Sequence, residues 1–232
     1  MKKIIVSTAL IMLSGFAVAQ DYTIKMTAKT EGLSPDLASF GEFEMVNYIK
    51  GDKYKNEITS MMVTGVTAFD GKKFTAISEK MGTKSGYTAT KEELDEAAKA
   101  DKDPKPKIEY TIEKKTIAGY ECTKAIITNV GPDKKEEKMD VWFTEKIISN
   151  HAKGKKKGSG GMTLNFGDLK GQPLEISMKS SMNGMDLKTL ITTTEVLTTT
   201  IDESAFNVDT QGYTMITFKE YQDKVKAMME EK

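Results

Sequence analysis

The sequence predicts a mainly β protein, one antiparallel sheet with a short internal helix and a C-terminal helix. Three observations carry this expectation. Apolar and polar residues alternate along most of the chain with the period of two that a strand imposes. Turn dipeptides such as Asp70-Gly71 and Asn183-Gly184 separate those runs. Helical spacing of apolar residues is confined to short stretches.

The elements follow in order. Tyr22 to Lys29 alternates, with Tyr22, Ile24, Met26 and Ala28 on the inner face. Phe43, Met45, Asn47 and Ile49 form the next inner face, and Lys53 to Val63 pairs back after Gly51-Asp52. Thr64 to Phe69 and Lys73 to Lys80 flank Asp70-Gly71. Thr90-Lys91-Glu92-Glu93 reads as a capping box opening a helix over Glu92 to Ala100, which Pro104 and Pro106 stop. Ile108, Tyr110 and Ile112 line a further strand, and Tyr120 to Val130 and Met139 to Ile147 give two more. Asn150 to Gly161, with His151 among lysines and glycines, reads as a solvated loop. Leu174, Ile176, Met178, Ser180 and Met182 share one face of a strand that turns at Asn183-Gly184 into Met185 to Thr200. Phe218, Tyr221 and Val225 mark the terminal helix, over about residues 217–231.

The first nineteen residues stand apart. Lys2 and Lys3 precede an uncharged apolar run from Ile4 to Phe16, and Ala17-Val18-Ala19 supplies a small-x-small cleavage pattern. Residues 1–19 therefore read as a cleavable signal peptide, with 20–232 as one domain. The apolar run is short of the roughly 20 residues that a membrane-crossing helix needs. The expected location is the periplasm or cell envelope, with secretion from the cell as the alternative, and without a membrane span.

Composition narrows the function classes. Acidic and basic side chains balance at 34 each, which argues against a nucleic-acid partner. The chain has no arginine, so it lacks the forked donors that grip phosphate and carboxylate. One cysteine excludes an internal disulfide. A single histidine, His151, with no cysteine near it, makes a histidine–cysteine metal centre unattainable, and no cofactor is expected. Cys122 admits two readings: a thiol nucleophile helped by Lys124 on the same face, or a small buried side chain.

A resemblance adds to this. Lys115-Thr116-Ile117-Ala118-Gly119-Tyr120-Glu121-Cys122-Thr123-Lys124-Ala125 looks like the signature of the domain-of-unknown-function 4412 family. Val141 to Ile147, with Trp142, resembles that family's Trp-aromatic-Thr strand, and Gly171-Gln172-Pro173-Leu174 its later element. The resemblance extends to the GLPGLI family of exported Bacteroidota proteins. Ile201 to Val208 is similar to the close of lipoprotein carriers of the LolA type. It implies a strongly curved antiparallel half-barrel sheet with helices in its mouth, and no catalytic residues. Within the signature, Gly119 suits a turn or bulge, while Tyr120 and Cys122 share a face against which Trp142 can pack.

These readings converge on an exported, non-catalytic protein that binds an apolar ligand in the concave face. The ligand would be a lipid, an acyl chain or a lipoprotein segment, held by Ile24, Met26, Met45, Ile176, Met178 and Met182. Methionine lines adaptable apolar surfaces as readily as it fills cores. An envelope interaction module without a small ligand, and a thiol enzyme using Cys122, remain the alternatives.

Overall fold

Hairpin follows hairpin through this chain, so strands that are neighbours in sequence are mostly neighbours in the sheet. The computed structural model describes residues 20–100, 104–130, 136–147, 155–157, 163–182 and 184–230. The leading segment read as a signal peptide, and His151, lie outside the described residues.

The first meander runs β1 (Tyr22–Glu31), β2 (Glu42–Lys50), β3 (Lys53–Ser60), β4 (Val63–Phe69), β5 (Lys73–Lys80) and β6 (Thr83–Thr90). The helix α1 (Lys91–Ala100) follows. The second meander is β7 (Lys107–Ile117), β8 (Tyr120–Val130) and β9 (Glu136–Thr144), continued by β12 (Gln172–Met182) and β13 (Met185–Leu197). Between β9 and β12, the short strands β10 (Lys155–Lys157) and β11 (Thr163–Asn165) pair with each other. The chain ends in β14 (Thr214–Thr217) and α2 (Phe218–Glu230).

All but β10 and β11 belong to one curved sheet in the order β14-β6-β5-β4-β3-β2-β1-β13-β12-β9-β8-β7. The strands β14 and β7 are its edges and do not pair, so the sheet does not close into a barrel. The two meanders join along β1 and β13, which pair antiparallel from Thr23–Leu197 to Glu31–Lys188 with a register shift between Lys25 and Met26. Among the described residues the one parallel pairing in this sheet is β14 with β6, Thr214–Ser85 to Thr217–Thr88.

Register fixes the faces, because side chains alternate along each strand. Ile24 pairs with Asn47, and Met26 with Met45. Asn47 pairs with Asn56, and Met45 with Ile58. The inner faces expected for β1 and β2 are therefore observed. Around β1, β13, β12, β9 and β8 this concave face carries a dry core: Ile24, Ala125, Ile127, Val141 and Ile191 are fully buried. Ile147, Phe166 and Leu169, from the segment that links β9 to β12, are buried in the same cluster. That segment thus fills one half of the curve.

Three differences from the sequence reading have physical causes. Ile112 is 98% exposed rather than core-facing. The β7–β8 register shifts between Tyr110 and Lys114, and a bulge there turns the side chain outward. β6 is a strand that the pattern does not announce; its TKSGYTAT sequence lacks an apolar series, and its turn, Met81-Gly82, lacks the usual Asn or Asp. β14 precedes the terminal helix and is too short to show a period.

Candidate functional site

Side chains on the concave side of β2 to β6 form rows across the strands. The first runs Met26, Met45, Ile58, Gly65 and Ser78. The second runs Ile24, Asn47, Asn56, Thr67, Ala76 and Tyr87. A third, aromatic row runs Ile49, Tyr54, Phe69 and Phe74. A fourth, on the other side of the methionine row, runs Ala28, Phe43, Ser60 and Val63.

Burial falls along these rows. Ile24, Met26 and Ile176 are closed in at 0%, 5% and 3% exposure. Farther out, Phe43, Met45, Ile58, Val63, Phe69 and Phe74 are only half-buried although they face the concave side. Asn47 lies at the boundary. Its amide donates to Met26 Sδ at 3.6 Å, and its carbonyl oxygen accepts from Asn56 Nδ2 at 2.9 Å.

At the far end, α2 partly roofs the rows. Tyr221 stacks on Tyr87 with ring centroids 3.9 Å apart and 12° between planes, and Phe218 lies 6.0 Å from Tyr87. Burial raises the Tyr87 phenol above its ordinary range, and Tyr221 beside it adds to the shift. Burial alone pushes Tyr54 up to about 12. Both phenols are neutral hydrogen-bonding groups at any physiological pH.

The six expected ligand-binding residues therefore divide. Ile24, Met26 and Ile176 are core. Met45 and Met178 are half-buried at its margin. The Met182 side chain lies outside the described residues. Ile58 and Val63 join the site from the structure alone, and Phe43, which alternation already places on the inner face beside Met45, joins them. The remaining signal is the register across β2–β4, which no single strand shows.

The signature residues sit toward the other end of the sheet, where Cys122 is part of the core cluster and Tyr120 and Trp142 pack against it. Ala118 and Gly119 take φ +47° and +83° between the paired residues Ile117 and Tyr120, a two-residue hairpin turn. Lys124 pairs with Trp142, so these two side chains share a face. The Lys115 ammonium lies 4.4 Å from the Trp142 ring centroid and 2.6 Å from Glu175. Lys124 is held by Asp140 at 3.0 Å. Cys122 itself is wholly buried, and burial pushes its thiol up to about 11, against smaller lowering effects of the Ile117 backbone and Lys115. A thiol in that state is a poor nucleophile near neutral pH. Among the described residues, no three His, Cys, Asp or Glu side chains group as metal ligands.

The match to known proteins is clearest at the level of family. The domain of unknown function DUF4412 matches residues 37–208, most of the chain. The chain belongs to this family. The DUF4412 segment begins in the turn before β2 and ends beyond β13, so it contains both meanders except β1. No curated protein matches the sequence. Several solved structures are similar in shape at low identity. PNGF-II has a TM-score of 0.49 and 15% identity over 89% of this chain. This chain spans only 33% of the PNGF-II chain. An uncharacterized conserved protein from Thermus thermophilus has a TM-score of 0.49 and 8% identity, covering 86% of this chain and 91% of its own. The LolA superfamily protein NE2245 from Nitrosomonas europaea has a TM-score of 0.34 and 12% identity, covering 82% and 91%.

Proposed function

We propose that this DUF4412 protein is an exported, non-catalytic binder of a long apolar ligand, such as a lipid or acyl chain, on the outer half of its concave face. One observation supports the reading above others. The concave face is self-filled around β1, β13 and β9, with Ile49 of β2 in the same core, yet Phe43, Met45, Ile58, Val63, Phe69 and Phe74 on β2 to β5 stay half-buried. Apolar area left in water costs about 25 cal/mol per Å², so a ligand that covers Phe43, Met45, Ile58 and Val63 gains that amount back. Flexible methionine at the margin lets the surface adapt to a chain of variable shape. The buried Cys122 thiol, which keeps its proton, supports a role without thiol chemistry. The polar pair Asn47–Asn56 lies between the apolar and aromatic rows and suits the head of an amphipathic ligand.

Titration of the folded protein with a fluorescent fatty acid tests this. Saturable binding, lost in Ile58→Asp with the circular dichroism spectrum unchanged, is expected. Absence of saturable binding in the wild-type protein overturns the reading and leaves an interaction module of the envelope.

A further inference from the structure

Two hairpin tips meet at one end of the sheet. The β3–β4 turn is Met61-Met62, and the β5–β6 turn is Met81-Gly82. The Met81 amide donates to the Met62 carbonyl at 3.3 Å and ties the tips together. All three methionines line one surface cavity of about 570 Å³, together with Phe40, Glu79 and Thr64. Met61 is 69% exposed, Met62 36% and Met81 77%.

Core packing does not account for these residues, because side chains left in water contribute little burial. Turn preference does not account for Met81 either. It takes φ +50° at the first central position of the hairpin, where Asn or Gly fits and another side chain costs roughly 1 kcal/mol. Local rules broken without a local gain point to function. What methionine brings that leucine does not is a thioether sulfur, a soft and neutral donor that selects soft metal ions.

The remaining lining narrows the ligand. A purely apolar guest is disfavoured beside the Glu79 carboxylate, whose ion-pair contact among the described residues is a long one of 3.7 Å to Lys84. A monovalent cation uses that carboxylate as its counter-charge. Reach is adequate. Neighbouring Cα atoms along the chain lie about 3.8 Å apart, and the bond between the tips brings Met81 alongside Met62. Three rotatable bonds then let each sulfur swing inward.

We propose that Met61, Met62 and Met81 bind a soft monovalent cation such as Cu(I) through their thioether sulfurs, with Glu79 balancing its charge. The site lies at the sheet end, where its cavity shares Ser60 and Val63 with the margin of the concave face, but its sulfur donors do not depend on the concave-face reading.

The test is nuclear magnetic resonance of the full chain carrying labelled methionine methyl groups, titrated with Ag(I) in chloride-free buffer. Ag(I) stands in for Cu(I) because it is equally soft and does not oxidise in air. The methyl signals of Met61, Met62 and Met81 shift together at stoichiometric Ag(I), while those of the core residues Met26 and Met139 do not. Loss of one sulfur in Met81→Leu weakens binding by at least the roughly 10–100-fold seen when groups supporting a metal ligand are removed. Leucine keeps the surface apolar, so fluorescent fatty-acid binding stays at its wild-type level in the same variant. No shift in excess Ag(I), equal shifts at every exposed methionine, or unchanged affinity in Met81→Leu overturns the proposal. Loss of fatty-acid binding in Met81→Leu without any Ag(I) effect also overturns it, and assigns the rim to an apolar ligand.

Discussion

Cys122 shows how one buried atom links sequence, stability and reactivity. Its thiol is held up from 9.0 to about 11, chiefly by burial, so the folded state keeps the proton longer than the unfolded chain does. The stabilising contribution is complete below the unfolded value and disappears as pH rises from about 9 through 11. The Cys122→Ala variant is therefore expected to lack that alkaline loss in denaturant titrations across this window. Native wild-type protein should react with a thiol reagent only as fast as it unfolds. Rapid native labelling would contradict the burial. Met81 makes the opposite case at a surface. Met81→Asn relieves the positive-φ penalty and should gain up to about 1 kcal/mol in stability, read from chemical denaturation. The same change removes a sulfur from the rim, so stability and Ag(I) affinity should move in opposite directions.

Elements differ in what holds them. In α1, Thr90 Oγ1 accepts from the Glu93 amide at 3.2 Å, and Glu93 accepts from the Thr90 amide at 2.8 Å. That capping box was legible in the sequence, and with the Lys91 amide bonded to the Lys72 carbonyl and an exposed Lys91–Asp95 ion pair it holds a helix that buries no residue. In α2, Thr217 and Glu220 form the same reciprocal pair, but Tyr221 also docks on Tyr87. Thr→Ala at either cap costs about 1 kcal/mol locally. Thr90→Ala should speed amide hydrogen exchange in α1 and leave the global midpoint unchanged, whereas Thr217→Ala should also loosen β14 and β6. Exchange rates that respond equally in the two variants would refute the distinction. Strand alternation from Tyr22, through Met45, to Ile176 was readable because each faces a single core. What escaped was set between strands: the bulge that exposes Ile112, the polar edge-like β6, and the β9–β12 segment whose Phe166 and Leu169 fill the curve. The candidate site was half-legible for that reason. Periodicity names the inward face of one strand, but the register of neighbouring strands decides which inward residues remain uncovered.

For the whole molecule the decisive feature is the seam. β1, the first strand, needs β13, almost the last, as its second neighbour. A polypeptide ending at residue 182 should lack a cooperative unfolding transition, and a synthetic peptide of residues 184–200 should restore one on mixing. Cooperative unfolding of the shortened chain by itself would show that the sheet does not need β13 to fold.

The open seam also has a consequence in time. A chain that emerges amino terminus first, from a ribosome or a translocation pore, carries an unsatisfied strand edge on β1 until Lys188 to Leu197 arrive, most of the chain's length later. Hairpins within each meander need only short loop closures, but this pairing spans nearly the whole polypeptide and its closure is correspondingly slow. Completion of the fold is thus deferred to the end of synthesis. During that interval the nascent chain stays pliable enough to be threaded, and it also presents an adhesive β edge that a holding chaperone would have to shield.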